Sequence, residues 1–456
     1  MTRPSPAHVG AVLLAGLLTA CRPAPPPNVV VILVDALRAD RLGCYGGPRG
    51  LTPFIDSLAA RGTRFRNAYA ASSWTNPSVA SLFTSRWQSQ HGVVDFQSAL
   101  PATERTLAET FRDRGYATAA FIGTYGIAGH GFEQGFDTYQ LVIDDQRAED
   151  SDALHLAKGA GPEIDAALFA WLDRRPPPAA RQPLFLYLHF MEPHLPYAPK
   201  AANVARILGE YHQTPEQLQS WYQRWYHLVA DGGLDEPSAM DMARDLYDAE
   251  LLGLDDAIRD LVAGLERRGL LDTAVVVFTA DHGEEFFEHG KYGHGVNLYN
   301  DTLRVPLVLL TPGQADARDV RDTVSLVDVA PTLVALAGGP TEPSFEGRSL
   351  RDAGTQRVAY AELARTVSSQ GHVHDRAVVV GDRKLAIGPD GHEQAFDLAN
   401  DPGEHDPSAL AEPERAALRE RLAAVRSLTA RNPSAQQVDP LDEATQRRLR
   451  ALGYLR

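Results

Sequence analysis

The sequence predicts an α/β fold, a doubly wound sheet covered by helices on both faces, followed by a small antiparallel subdomain. Two observations carry the first part: strand-length apolar runs recur along the chain, and helical segments stopped by glycine alternate with them. The third is a change of texture after about residue 345, where short strands and turns replace that alternation.

The elements follow in order. VVVILV, Val29 to Val34, is apolar at every position, as a central parallel strand buried on both faces must be, and it ends on Asp35. TPFIDSLAARGTRF places Phe54, Ile55 and Leu58 at helical spacing before a stop at Gly62 and a short strand. TLAETFRDRGYATAAFIG repeats helix, glycine and strand, with Gly115 as the stop. PLFLYLHF and TAVVVFTADHG are two further buried strands, the second preceded by a long helix through LYDAELLGLDDAIRDLVAGLERRG. Residues 200–241 are polar with scattered aromatics and predict a helical insertion into a main domain spanning 28–345. Residues 346–410, containing AVVVGDRKLAIGPDGHEQAFDLANDPGE, predict the small antiparallel sheet, and 411–456 an amphipathic helix with a polar tail.

The first 21 residues have a cationic start at Arg3, an apolar stretch from Val9 to Leu18 and small residues before Cys21. That is the pattern of an export signal, too short to span a bilayer. LTAC resembles a bacterial lipobox, in which Cys21 becomes the lipidated first residue, and the proline-rich residues 22–27 suit a stiff tether. The expectation is an exported chain, anchored to a bacterial membrane through Cys21 on the periplasmic or outer-membrane face. Of the two cysteines, Cys44 then remains as a packed small residue, without a disulfide. A net charge of −15 with no Lys/Arg run excludes a nucleic-acid surface, so an anionic substrate needs a local positive site such as a metal.

Asp35, Asp281 and His282 end two apolar strands, where open α/β sheets form their sites. Two carboxylates and an imidazole suit a divalent cation such as Ca²⁺, Mn²⁺ or Zn²⁺. In SSWTNPSVASLFTS, Asn76 before Pro77 reads as an N-cap with proline at the first helical position. Thr75 would then lie just outside a helix N-terminus, where an oxyanion is favoured. A threonine hydroxyl needs activation to act as a nucleophile, which a metal supplies; spacing alone leaves catalytic and structural roles for Thr75 equally open. FMEPHLPYAP holds His194 in a rigid loop, and FFEHGKYGHGVNLY holds Glu288, His289, Lys291 and His294 in a glycine-rich one. His194 and His294 are candidates for substrate contact or proton donation and Lys291 for substrate binding, while His189 and His289 read as structural.

At these residues the chain resembles the sulfatase family of the alkaline phosphatase superfamily. Ordered matches run from PNVVVILVDALRADRLGCYG through TPFIDSLAARGTRFRNAYA, FLYLHFMEPHLPYAP and VVVFTADHGEEFFEHG to VSLVDVAPTL and FDLANDPGE. The resemblance implies an alkaline-phosphatase-like large mixed sheet flanked by helices, with a smaller C-terminal sheet. It implies Asp35, Asp281 and His282 as metal ligands, Thr75 at the nucleophile position and as a further ligand to the metal, His194 as the strand-end histidine, and His294 where many sulfatases place an anion-binding lysine. Three departures stand out: Ala36 replaces a second aspartate, Thr75 replaces the cysteine or serine that matures to formylglycine, and Val79 replaces the arginine of that motif.

Formylglycine releases sulfate because its second hydroxyl ejects the bound group, which an ordinary alkoxide cannot do. Threonine here resembles the superfamily's phosphodiesterases and headgroup transferases, in which a phospho-threonine passes to water or an acceptor alcohol. Fewer carboxylates, and an Asp-His pair in place of Asp-Asn, shift the expected ion toward Mn²⁺ or Zn²⁺, with Ca²⁺ the alternative. Glu284 and His289 are the only nearby candidates for a second site, so one ion is expected. The expected activity is a metal-dependent hydrolase or transferase of anionic esters on a small molecule, glycan or lipid headgroup, with phosphate esters ahead of sulfate esters. The alternatives are a sulfatase working without formylglycine and a non-catalytic binder of surface glycans or lipid headgroups.

Overall fold

Strand β1 (Val29–Val34) is buried at all six positions and lies inside a large sheet. The protein is described by a computed structural model covering residues 25–96, 98–143, 160–176, 182–209, 237–314, 316–352, 357–367, 371–429 and 436–437. The segment expected to be an export signal, Cys21, most of the 200–241 segment and most of the polar tail lie outside the described residues.

The other strands of the large sheet are β2 (Thr63–Tyr69), β3 (Ala117–Ile122), β4 (Thr138–Leu141), β5 (Leu184–Phe190), β6 (Val275–Ala280), β7 (Arg304–Val305), β8 (Leu307–Leu310) and β9 (Arg318–Ser325). Their order is β7-β2-β8-β6-β1-β5-β3-β4, with β9 beside β2. From β6 to β4 every pairing is parallel, whereas β8 runs antiparallel to both β6 and β2. The sheet is therefore mixed. β1, β3, β5 and β6 are buried throughout because helices cover both faces, which explains their unbroken apolar sequences.

Four helices show how the layers are joined. Helix α1 (Pro53–Ala59) is capped from another element: the Asp255 carboxylate accepts the amides of Phe54 and Ile55 at 3.0 and 2.8 Å. Helix α2 (Thr75–Thr84) is buried at all ten positions. Helix α3 (Leu107–Arg112) starts with a reciprocal cap between Thr106 and Glu109. The long helix α4 (Pro237–Arg267), which supplies Asp255, buries Leu246, Leu254, Ile258 and Leu261 in the main core. Of the 200–241 segment, a helix spans Ala201–Leu208.

The small sheet is antiparallel in chain order, β10 (Ala359–Val367), β11 (Gly371–Val380), β12 (Arg383–Ile387) and β13 (Glu393–Asp397). Helix α5 (Glu412–Thr429) puts Leu418 and Leu422 in one cluster with Val378, Leu385 and Ala395 of that sheet.

Candidate active site and metal centre

β1 and β6 are paired in parallel with Val34 opposite Ala280, so Asp35 and Asp281 leave the sheet at the same height. Both carboxylates and His282 are fully buried, and they can offer ligand atoms all within 4.8 Å of one another. His282 donates its Nδ1 proton to the Gly283 carbonyl at 2.8 Å, which leaves a lone pair on Nε2. That nitrogen lies 3.5 Å from Asp35 Oδ1 and 3.5 Å from Asp281 Oδ2. Asp281 Oδ1 accepts the amides of Ala36 and His282, while the buried Oδ2 has no hydrogen-bond partner among the described residues.

Nε2 and Oδ2 face one another as acceptors unless one of them holds a proton, and a cation at this place removes that need. The electrostatics agree. Burial, then the charge of Asp35, pushes the Asp281 carboxyl well above its ordinary range. Burial opposes ionisation of Asp35 too, but His194 and His189 outweigh it and hold that carboxyl low. Burial, helped by His294, pushes His282 down to about 3, so its imidazole is neutral as a ligand must be. The residues present thus fit one divalent ion.

The nucleophile candidate is brought to this cluster by α2. Thr75 Oγ1 is 3.1 Å from His282 Nε2, and Ser78 Oγ donates to the Asp281 carbonyl at 2.6 Å, tying the helix to the end of β6. The helix starts one step earlier than Asn-Pro suggests: Thr75 is its first residue and extended Trp74 its N-cap, with the Ser78 amide donating to the Trp74 carbonyl at 3.1 Å. Asn76 is not the cap. Its buried side-chain amide instead donates to the Gly126 carbonyl at 2.8 Å, a tertiary contact that outbids the local one. Val79 is packed in the core.

Two loops close over the cluster. His194 donates from Nδ1 to the Leu195 carbonyl, and its Nε2 lies 4.0 Å from Asp35 Oδ1. His294 Nδ1 is 3.0 Å from Glu284 Oε1; burial opposes its protonation, but the Glu284 carboxylate raises its pKa above the ordinary value. The His294 ring stacks on His282 at 4.5 Å and lies 4.8 Å from His194. The His294 loop is tied to the entrance of α2, since the Gly295 amide donates to the Ser73 carbonyl and Ser73 Oγ to the Asn297 carbonyl, both at 2.6 Å. Arg38, 4% exposed, buttresses the far side through Asp40, Glu288, Asp301 and the Glu284 carbonyl.

The structure therefore gathers Asp35, Thr75, His194, Asp281, His282 and His294. Lys291 is exposed, with its amide on Glu285, and its side chain is not part of the cluster. His289 stands apart from the cluster, stacked on Tyr299 at 3.6 Å and 3.3 Å from Asp301. Two residues take places the sequence reading did not give them. His189, read as structural, reaches Asp35 Oδ2 at 3.2 Å, and Glu284, weighed only for a second ion, holds His294. The available signal for His189 was a lone imidazole in an apolar strand, one residue from its end.

A family model described as Sulfatase matches residues 27–339. The chain is 27% identical over 417 residues to the uncharacterized sulfatase YidJ of Escherichia coli (strain K12), covering 83% of this chain and 82% of that protein. It is 30% identical over 353 residues to arylsulfatase A of Homo sapiens, covering 72% and 67%. Among solved structures, a protein in complex with its substrate D-glucosamine-2-N,6-O-disulfate aligns with a TM-score of 0.72 at 20% identity, over 89% of this chain and 98% of that one. The phosphonate monoester hydrolase of Agrobacterium radiobacter aligns with a TM-score of 0.68 at 20% identity, over 88% and 96%. At such identities these two likenesses speak for the fold.

Proposed function

Because this chain belongs to the sulfatase family, whose members are metal-dependent hydrolases, we propose that it cleaves or transfers anionic esters using Thr75 as nucleophile, and that phosphate esters are its substrates. The observation that carries the reading is the position of Thr75 Oγ1: buried, on the first residue of α2 and 3.1 Å from His282 Nε2. Asp35, Asp281 and His282 would hold one divalent ion, Mn²⁺ or Zn²⁺ before Ca²⁺. When bound, the ion supplies positive charge that favours ionisation of a nearby hydroxyl and offsets the charge of an anionic ester.

The chain's own residues do the rest. Thr75 Oγ1, its proton passed to solvent water, bonds to phosphorus, and the bond from phosphorus to the leaving oxygen breaks. The open amide end of α2 favours the anionic group there. His294, held by Glu284, or His194 gives the leaving oxygen its proton. The phospho-threonine then passes to water or to an acceptor alcohol on a small molecule, glycan or lipid headgroup. Threonine cannot be oxidised to an aldehyde at Cβ because that carbon carries a methyl group, so the sulfate-release route of formylglycine is closed to it.

The test is turnover of matched aryl phosphate monoesters, phosphate diesters and sulfates by metal-loaded protein, with intact mass measured in parallel and Thr75→Ala as control. A phosphate-sized adduct present in wild type and absent in Thr75→Ala supports the reading; sulfate turnover surviving in Thr75→Ala sinks it. A sulfate-ester activity is the second reading, favoured by the sulfatase names of the relatives. Metal binding without turnover of any ester would favour a non-catalytic binder. Export and anchoring through Cys21 are part of the proposal, supported by the N-terminal pattern. Labelled palmitate should enter the wild-type chain in a bacterial host and not the Cys21→Ser variant.

A further inference from the structure

β5 sends Tyr187 and His189 to one face of the sheet, and both are fully buried. The Tyr187 hydroxyl lies 2.9 Å from His189 Nδ1, and His189 Nε2 lies 3.2 Å from Asp35 Oδ2. A carboxylate accepts, so Nε2 carries the proton; Nδ1 is then the acceptor for the tyrosine O–H. Tyr187 has little freedom to release it, since its ring packs edge-on against Phe83 of α2 at 4.8 Å. The same tyrosine thus braces the helix that carries Thr75 and fixes the tautomer of His189. In that tautomer neither ring nitrogen of His189 offers a lone pair to an ion. Its proton instead engages one Asp35 oxygen, while the other lies 3.5 Å from His282 Nε2.

We propose that His189 is a positioning residue that restricts Asp35 to one metal-facing oxygen and thereby sets which divalent ion the centre prefers. Ca²⁺ takes six to eight oxygens and makes frequent use of bidentate carboxylates. Mn²⁺ and Zn²⁺ accept imidazole with fewer oxygens. With Ala36 bringing no side-chain donor, an Asp35 limited to one oxygen disfavours Ca²⁺ specifically. The inference rests on Asp35, Asp281 and His282 being metal ligands, and not on which ester Thr75 attacks.

The test is calorimetric titration of the metal-stripped full chain with Mn²⁺, Zn²⁺ and Ca²⁺, with no ester present, for wild type, His189→Phe, His189→Gln and Tyr187→Phe. His189→Phe should weaken Mn²⁺ and Zn²⁺ binding about 10- to 100-fold, the usual effect of losing such an outer partner. It should weaken Ca²⁺ less, because Asp35 can then offer both oxygens. His189→Gln keeps an N–H donor and should recover much of the preference; Tyr187→Phe, which frees the tautomer, should fall between. Unchanged Mn²⁺ to Ca²⁺ ratios in His189→Phe would overturn the proposal. Should that variant not fold, His189→Gln and Tyr187→Phe decide it, and a uniform loss for all three ions in both would overturn it. A wild-type chain that binds none of the ions overturns the metal reading itself, whereas failure of the phosphate-ester reading leaves these affinities untouched.

Discussion

Replacing Lys384 by methionine should destabilise the protein by an amount the structure allows to be worked out. Lys384 on β12 and Glu404 form an ion pair 0% and 1% exposed. Lys384 Nζ also reaches Asn300 Oδ1 at 3.3 Å, and Glu404 accepts the Asn300 backbone amide. Burial lowers the Lys384 pKa and raises that of Glu404, so desolvation weighs on both partners even as they attract. Removing one partner leaves the other charge buried alone, which costs about 3–5 kcal/mol. For a chain of 456 residues, unfolding entropy near 60 °C is about 1 kcal/mol/K, so the melting temperature should fall by about 3–5 °C. Because Asn300 opens the short helix Asn300–Leu303 just after the His294 loop, turnover should fall as well. The double variant Lys384→Met/Glu404→Gln removes the stranded charge while keeping an acceptor for Asn300, and should regain most of the loss. Thermal unfolding by circular dichroism decides it. A single variant melting within a degree of wild type, or a double variant melting no higher than the single, would refute the reasoning.

Three further outcomes are expected. The pKa of His289 is raised, with Asp301 overcoming the effect of burial, so its contribution to stability is fully present below the unfolded value near 6.5 and is lost as pH rises through the higher folded value. His289→Gln should therefore lower the melting temperature at pH 6 more than at pH 8.5, and a pH-independent difference would show that the pairing does not stabilise the fold. Burial, then Asp56, pushes the Cys44 thiol up to about 12, so iodoacetamide at pH 8 should label it only after unfolding; rapid native labelling, read by mass, would contradict this. Gly295 has φ +64, and a Cβ there would lie 3.2 Å from the Trp74 ring, so Gly295→Ala should cost about 1–2 kcal/mol and lower kcat by displacing His294. Wild-type melting and kcat together would show that the loop tolerates the change.

The candidate metal centre was legible in sequence because its carboxylates punctuate strands buried at every position: Asp35 follows VVVILV directly and Asp281 follows VVVFTA, whose one polar residue is Thr279. The mixed character of the sheet followed from the resemblance and not from periodicity, since the short Leu307–Leu310 strand carries no mark of its antiparallel direction. The start of α2 was misread because Asn-Pro is a strong local signal. The fold spends Asn76 on the Gly126 carbonyl and lets Trp74 cap through backbone geometry alone. His189 escaped notice because, in a strand buried on both faces, alternation does not show which side chains share the face of the site. Lys291 shows the opposite case: nearness in sequence to His294 placed it in the same loop, and the fold leaves it exposed, outside the buried cluster.

The register of β1 against β6 has a consequence for how such a protein can diversify. Asp35 and Asp281 leave adjacent parallel strands at the same step, so their separation is inherited from the inter-strand spacing of about 4.8 Å and not from the conformation of any loop. Loops elsewhere around the opening can be lengthened, shortened or exchanged without disturbing the candidate ion site. A slip of one residue between the two strands would destroy it at once. Selection for new esters therefore has wide freedom at the rim and almost none at the floor, and the chemistry can stay constant while the molecules it is applied to change.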